Sequence, residues 1–548
     1  MKINLSIALA LAAIYHPLGV TAVDSCVHLG YSSYNGVPLA NGVTQWLGIR
    51  YAAPPLGELR FAAPQDPPST GDTIIEADTH GPTCLARSSS NKPAKLTTPE
   101  KNEDCLFMDI YAPTNATSDS PLPVMFFIQA GGFSILSNAN YNGSGLVLAS
   151  EMNMIVVTFN YRVGPYGFLS GQEMLYNGGS LNNGLKDQRK AMHWVQEHIA
   201  QFGGNPDHVV LVGDSAGAAS INHQLTAYGG RDDGLFHATA AESQAFATIL
   251  TIPESQFQYD NMVIRTGCAS SKDTLACLRS LSADDIQRAN YNTPFPGGTN
   301  APKYMYGPVL DGDFVQEYTY AAYARGNFVR LPAIYGDVSD EGTKFTPNTT
   351  ASYAEGNAFL KDQYPFITPA QLGKLNALYP IESYPSFPET GRAWRQISTV
   401  YGEMRNICPG FFINSVYARF GVPAWNYHWD VKDPESEASG LGVVHTVEKF
   451  AIWGPTYIPK SPASYLPGGV NAGISPVAQG YWTSFVRALD PNVYRKEGTP
   501  VWEAWTGGCG EGWRSLRFKT NETGMESVPV EQRGRCEYLS GIGEALRQ

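Results

Sequence analysis

The twelve residues from Val209 to Ser220, VVLVGDSAGAAS, constrain what this chain can fold into more than any other stretch. They open with an unbroken apolar run, Val209 to Val212, short enough for a buried strand. Gly213, Asp214, Ser215, Ala216 and Gly217 then spell G-x-S-x-G, and the small residues that follow can start a helix. A strand that becomes a helix across so short a turn forces its serine into a strained conformation. The flanking glycines are needed because a Cβ there would collide with neighbouring backbone. The turn lifts the serine hydroxyl out of the sheet at a helix N-terminus, where backbone N–H groups and the helix dipole meet developing negative charge. Glycine and serine are common, so the five-residue match means little alone. The strand before it adds weight, and the rest depends on what else the chain supplies.

Val124 to Ile128 (VMFFI) is a second buried-strand candidate and runs directly into QAGGF. Met154 to Phe159 (MIVVTF) is a third. Between it and the serine segment, Leu185, Met192, Val195 and Ile199 recur at helical spacing with charged residues between them, and Gly203-Gly204 end the run. Strand, helix and strand in this order predict a mostly parallel sheet covered on both faces. Leu331 to Val338 (LPAIYGDV) and Pro423 to Val431 (PAWNYHWDV) are further strand candidates. Gly48 to Pro64, punctuated by proline and glycine, reads as a loop, as does Asn290 to Tyr306. With 548 residues, 43% of them apolar, the chain can bury a large core. No internal repeat or long linker divides it, so residues 23–548 are expected to form a single domain.

The formal net charge of −12 and the lack of a long basic run argue against nucleic acid, whose phosphates need clustered Lys and Arg. The N-terminus carries Lys2, an apolar stretch from Leu5 to Ile14, and the small-residue site Val20-Thr21-Ala22. That order predicts a signal peptide over residues 1–22; the apolar stretch is too short to serve comfortably as a membrane anchor. No later run approaches spanning length, so a soluble secreted protein is expected. Eight dispersed cysteines, with no CxxC pair, suit disulfides in that compartment better than zinc. Sequons at Asn115, Asn142, Asn348 and Asn521 are candidate glycosylation sites.

A serine hydroxyl is a poor nucleophile unless a base stands beside it. Histidine suits the task, with an unperturbed pKa near ~6.5, and a carboxylate is needed to hold its other nitrogen. In α/β-hydrolases these follow in the order serine, acid, histidine. The acidic turn after the Leu331 strand offers Asp337, Asp340 and Glu341, and composition does not choose among them. After Glu341 the chain has only two histidines, His428 and His445. His428 lies inside an aromatic strand-like run. His445 follows a glycine-rich loop, from which a side chain can reach over a sheet, and is the better candidate. For the oxyanion, Gly131 and Gly132 can turn two N–H groups to one point, with Ala216 supplying a third.

Taken together, LGIRYAAPPLGELRFAAP, EDCLFMDIY, NYRVGPYGFL, NNGLKDQRKAMHWVQEHIAQFGGNP, GDSAGA, GPVLDGDF, SDEG and GVVHTVEKF resemble the type B carboxylesterase/lipase family, which includes the cholinesterases. The resemblance spans nearly the whole mature chain and is closest in flavour to secreted fungal carboxylesterases. It implies an α/β-hydrolase fold: a large, mostly parallel central sheet with helices on both faces and long loop and helical insertions. It implies Ser215 as nucleophile, Glu341 as acid, His445 as base, and Gly131, Gly132 and Ala216 as oxyanion donors. It further implies that Ser243 orients the acid and that Asp214 supports the nucleophile. Disulfides Cys84–Cys105 and Cys268–Cys277 follow from it, while Glu103 with Arg60 and Arg162 with Asp187 resemble its structural ion pairs. Cys26, Cys408, Cys509 and Cys536 allow three pairings, of which Cys509–Cys536 is our expectation.

Three departures from the family pattern matter. Gln129-Ala130-Gly131-Gly132-Phe133 stands where many relatives have HGGGF, and alanine tolerates positive φ poorly. Asp214 stands where cholinesterases carry Glu. The loop from Cys84 to Cys105 lacks the tryptophan that holds quaternary ammonium groups in cholinesterases, which argues against choline esters. That loop is polar, without the apolar stripe of a lipase lid, so an esterase of soluble esters is expected over a lipase. A non-catalytic binding protein on the same scaffold is the remaining alternative, disfavoured because Ser215, Glu341 and His445 are all present. The expected partner is a small-molecule ester and no metal or cofactor is called for; the ester itself and the oligomeric state stay open.

Overall fold

A computed structural model describes residues 22–87, 92–136, 140–507 and 512–548. An eleven-stranded sheet runs through it, and its strands are numbered here along the chain. They are β1 (Val37–Pro38), β2 (Val43–Arg50), β3 (Phe107–Pro113), β4 (Leu122–Ile128), β5 (Ile155–Phe159) and β6 (Gly204–Asp214). β7 (Ala238–Glu242), β8 (Ala333–Val338), β9 (Ala424–Trp429), β10 (Arg514–Phe518) and β11 (Gly524–Ser527) complete it. The lateral order is β11-β10-β9-β8-β7-β6-β4-β5-β3-β2-β1. From β5 across to β10 all neighbours are parallel. The flanking strands on either side pair antiparallel. This is the α/β-hydrolase architecture expected from the sequence.

In the middle of the sheet, β4 and the Val209–Val212 part of β6 are continuous apolar runs because both faces are covered, so the usual in–out alternation has no solvent side to record. Val209 and Leu211, with Phe126 and Ile128, enter the core on one face. Val210 and Val212, with Met125 and Phe127, enter the core on the other. Helix α1 (Asn183–His198) covers the first face through Met192 and Val195. Helix α2 (Ser475–Ala488) covers the second through Tyr481, Trp482 and Phe485. Gly203, at φ 81°, lets the chain leave the α1 region in a left-handed turn and enter β6 at Gly204.

One loop expectation fails at its start. Gly48, Ile49 and Arg50 belong to β2, which pairs with β3 through a register shift between Trp46 and Ile49. Gly48 takes φ 73°, and a Cβ there would lie 2.6 Å from the Thr79 carbonyl oxygen, so the glycine serves a bulge within a strand rather than ending it.

Disulfides close Cys84–Cys105 and Cys268–Cys277. The expected Cys509–Cys536 bridge is replaced by Cys408–Cys536, which staples helix α3 (Cys408–Arg419) to helix α4 (Val530–Ile542). Both sulfurs are fully enclosed where those two helices pack, a juxtaposition invisible in sequence spacing. Cys509 lies outside the described residues, and Cys26 is half-buried and bridged to no cysteine among the described residues. Arg60 pairs with Glu103 and Arg162 with Asp187, each with two hydrogen bonds and each buried. Among the described residues no helix is long and apolar enough to cross a membrane; residues 1–21 of the expected signal segment lie outside them.

Strands β8, β7, β6 and β4 are adjacent, and each is followed within three residues by a side chain or amide singled out above: Glu341, Ser243, Ser215 and Gly131. Sheet topology therefore gathers four distant stretches of sequence at one rim, outside the carboxyl ends of parallel strands, where open α/β sheets bind ligands.

Candidate active site

Ser215 is the single residue between β6 and the helix Ala216–Leu225. Its backbone sits at φ 53°, ψ −112°, a strain on the order of 1–3 kcal/mol for a residue with a Cβ. The surroundings leave no alternative. A Cβ on Gly213 would come within 2.7 Å of the Gly217 carbonyl carbon, and one on Gly217 within 1.8 Å of the Ile128 carbonyl oxygen. Two hydrogen bonds fix the turn: the Ser215 N–H donates to Glu242 O at 2.9 Å, and the Ala219 N–H donates to Ser215 O at 2.9 Å. The serine side chain is half-buried, at the positive end of the helix.

His445 and Glu341 meet through a hydrogen bond between Nδ1 and Oε2, with the carboxylate 1% exposed and the histidine 9%. The second carboxylate oxygen, Oε1, accepts the Val338 N–H at 3.0 Å, which fixes the carboxylate plane. Phe345 packs edge-on to the imidazole at 4.9 Å between centroids. The other imidazole nitrogen, Nε2, is buried with no hydrogen-bond partner among the described residues. Such contacts are often long before substrate binds.

The remaining acidic and histidine candidates stand elsewhere. Asp340 is held by Arg395 and by the Val443 N–H, the latter at 2.8 Å. Asp337 is buried, and neither of its oxygens finds a hydrogen bond among the described residues; burial, then the charges of Glu341 and Glu448, push its carboxyl well above the ordinary range. His428 lies in β9, bridged to Glu526 at 2.6 Å and to the Ser339 hydroxyl at 2.8 Å.

Ser243 departs from the role the resemblance implied. Its hydroxyl donates to Glu448 Oε1 at 2.7 Å, rather than to Glu341, and accepts the Thr446 N–H at 3.2 Å. It therefore holds the backbone beside His445. The reason is that Glu448, three residues after His445, turns its carboxyl inward to Ser243 and to the Tyr427 hydroxyl at 3.0 Å. Burial and the neighbouring Glu341 push Glu448 up to about 8. Glu242 is raised too, by burial and then by Glu448 and Asp214, although Trp482 donates to it at 2.7 Å. Asp214 is fully buried within this group of acids. Glu242 and Glu448 were not singled out from the sequence. Their adjacency to Ser243 and His445 was the available signal, but only packing reveals their burial.

Gly131 and Gly132 take φ 126° and 58°. A Cβ on Gly131 would lie 1.8 Å from the Ile135 carbonyl oxygen, and one on Gly132 would lie 2.1 Å from the Tyr304 ring. The concern over Ala130 does not materialise, since the positive φ angles fall on Gly131, Gly132 and Phe133 and not on Ala130. Among the described residues no hydrogen bond engages the N–H of Gly131, Gly132 or Ala216. Gln129, at the position of the relatives' histidine, donates to the Phe159 carbonyl at 3.0 Å and to Asn160 at 3.2 Å, anchoring the base of the loop.

Comparison with known proteins identifies the family and the fold. The sequence profile described as the carboxylesterase family matches residues 32–532. Secreted lipase 4 of Gibberella zeae is 29% identical over 502 residues, spanning 87% of this chain and 86% of that protein. Lipase 1 of Geotrichum candidum is 35% identical, over 68% of this chain and 72% of its own length. The crystal structure of Aspergillus niger EstA superposes with a TM-score of 0.90 at 41% identity, covering 96% of this chain and 99% of that one.

Proposed function

Since the chain belongs to the carboxylesterase family and is a carboxylic ester hydrolase, we propose that it acts through Ser215, His445 and Glu341 by way of an acyl-enzyme. The observation that carries this reading is the strained Ser215 standing at the same sheet rim as the buried Glu341–His445 pair. His445 Nε2 takes the Ser215 proton as Oγ attacks the ester carbonyl, and Glu341 stabilises the imidazolium that forms. The tetrahedral oxyanion receives the N–H groups of Gly131, Gly132 and Ala216. Collapse returns the proton to the departing alkoxide. Water activated by the same histidine then frees the acid and restores Ser215. Glu448, pushed up to about 8 by burial and by Glu341, is protonated at neutral pH and leaves Glu341 as the acid that faces the imidazolium.

For substrate we favour soluble esters with a short group on the limb that enters the cavity beside Gly132, whose volume is only ≈ 40 Å³. The polar loop between Cys84 and Cys105 supports the same choice. The lipase reading draws on the relatives' names, and a rate that climbs steeply once a long-chain ester exceeds its solubility would favour it. Secretion is proposed from the N-terminal segment and from relatives named secreted lipases. Glycans are proposed at the sequons, of which Asn115, Asn348 and Asn521 are exposed and Asn142 half-buried. An uncharged alkyl phosphonate tests the central claim: it should label Ser215 stoichiometrically and abolish ester turnover. A folded protein that hydrolyses esters with Ser215 unlabelled would remove the proposed nucleophile.

A further inference from the structure

The segment after the acid loop carries a cation with no counterion among the described residues. Helix Trp394–Gly402 passes into helix α3 through a π-helical turn, Glu403–Ile407, an irregularity that accumulates at functional sites. Gly402 packs this segment against the acid, since a Cβ there would lie 3.1 Å from Glu341 Cβ. Three residues on, Arg405 points into the cavity that Gly132 lines, and it is only 8% exposed. Of the other buried arginines, Arg60 pairs with Glu103, Arg162 with Asp187 and Arg189 with Asp233, while Arg87 donates to the Lys303 carbonyl. Arg405 makes no ion pair among the described residues. Its neighbours are rings and a hydroxyl, with Tyr304 at 5.2 Å, Tyr401 at 5.9 Å and a hydrogen bond to Tyr364. Across the Tyr304 ring stands a second guanidinium, Arg87, at 6.0 Å.

A desolvated guanidinium without an anion is costly, and a substrate carboxylate offsets that cost. The wall of the same cavity offers a further donor. Asn222 Oδ1 already accepts the hydroxyls of Tyr323 at 2.8 Å and Tyr335 at 3.1 Å, and its buried Nδ2 has no hydrogen-bond partner among the described residues. Gln258 also lines the cavity; its Nε2 is used by the Met305 carbonyl, which leaves Oε1 as an acceptor for a hydroxyl or water accompanying the acid. Asn222 lies on the helix that begins at Ala216, so this donor and the Ala216 amide belong to one rigid element.

We propose that this cavity is a carboxylate subsite, and that the preferred esters bear a carboxylate a few carbons from the scissile carbonyl, held by Arg405 and Asn222. The inference rests on the ester-hydrolase reading above and narrows its substrate class. The cavity's ≈ 40 Å³ suits a carboxylate and excludes a long alkyl chain. The overall charge of −12 would slow the approach of such anions from afar. Buried contacts are screened little, so the preference should survive added salt that removes the long-range term.

The test compares kcat/KM for aryl butyrate with aryl hemisuccinate and hemiglutarate, which place the carboxylate on the acyl limb. A butyrate ester of glycolate, against that of methyl glycolate, places it on the alcohol limb. One charged arm should exceed its neutral counterpart by about tenfold or more, and which arm does so identifies the limb. In Arg405→Gln the charged-to-neutral ratio should fall by about tenfold, with Arg405→Lys restoring part of it. Should Arg405→Gln fail to fold, inhibition of the unaltered protein decides: succinate or glutarate should bind about tenfold more tightly than butyrate. Neutral esters hydrolysed as well as or better than both charged arms, or dicarboxylates no tighter than butyrate, would overturn the subsite and leave the hydrolase reading standing. No neutral turnover and no phosphonate labelling would instead overturn the hydrolase reading itself.

Discussion

Replacing Glu341 by Gln tests the proposed acid with a change that keeps its size and shape. In the native site the two carboxylate oxygens have separate tasks: Oε1 accepts the Val338 N–H at 3.0 Å, and Oε2 accepts from His445 Nδ1. A glutamine has one acceptor and one donor for the same two places. If its oxygen stays with Val338, its NH₂ faces Nδ1, which must then accept. The imidazole proton moves to Nε2, the nitrogen that has to receive the serine proton. The opposite orientation sets two donors against each other in a buried site, at a cost of about 1–3 kcal/mol. The wrong tautomer therefore dominates. The expected loss in kcat is about 10⁴-fold, or ~5 kcal/mol of barrier, with the fold intact. The assay is steady-state hydrolysis of a neutral aryl ester, with thermal unfolding to verify the fold. Asp337→Asn should stay within about threefold of the parent rate, because no hydrogen bond of Asp337 is lost. The reasoning is refuted if Glu341→Gln keeps most of its activity while Asp337→Asn or Asp340→Asn loses it.

Other expectations follow from the same contacts. Gly131→Ala places a Cβ 1.8 Å from the Ile135 carbonyl oxygen at a φ alanine avoids, so the loop must shift. Turnover should fall roughly 10²–10³-fold, with phosphonate labelling slowed alike; an unchanged rate would exclude Gly131 as a donor. Glu448 has a native pKa of about 8, above its ordinary value, so the folded state keeps a proton that the unfolded chain has released. That contribution to stability is complete below pH ~4.5 and is lost as pH rises through about 8. Glu448→Gln should therefore flatten the fall in Tm from pH 5 to pH 9, and an unaltered profile would contradict the assignment. Removing the Cys408–Cys536 bridge, whose cysteines are 128 residues apart, should destabilise the protein by about 2–5 kcal/mol. Non-reducing peptide mapping that links Cys536 to Cys509 instead would reject the bridge.

Much of the sheet could be read from the chain itself. Val209–Val212 and Val124–Ile128 are continuous apolar runs, and Ile155–Phe159 is interrupted only by Thr158, because they lie under helices on both faces, and that coverage leaves a local record in composition. The serine turn was equally legible, because the demand for glycine at positions 213 and 217 is a short-range steric one. Chain order then reduced the histidines to two. What the residues alone left open were choices that depend on partners far away in sequence. Asp337, Asp340 and Glu341 are chemically interchangeable in a string of letters, and they part only when Arg395 takes Asp340 and His445 takes Glu341. Cys536 finds Cys408 because two helices pack, and Ser243 turns to Glu448 because that carboxyl is folded inward. Arg405 is an unremarkable basic residue until the fold buries it among tyrosine rings, with no ion pair among the described residues. Local sterics and burial are written into the sequence near where they act. Electrostatic partnership is set by where the chain returns, and so only the tertiary structure decides it.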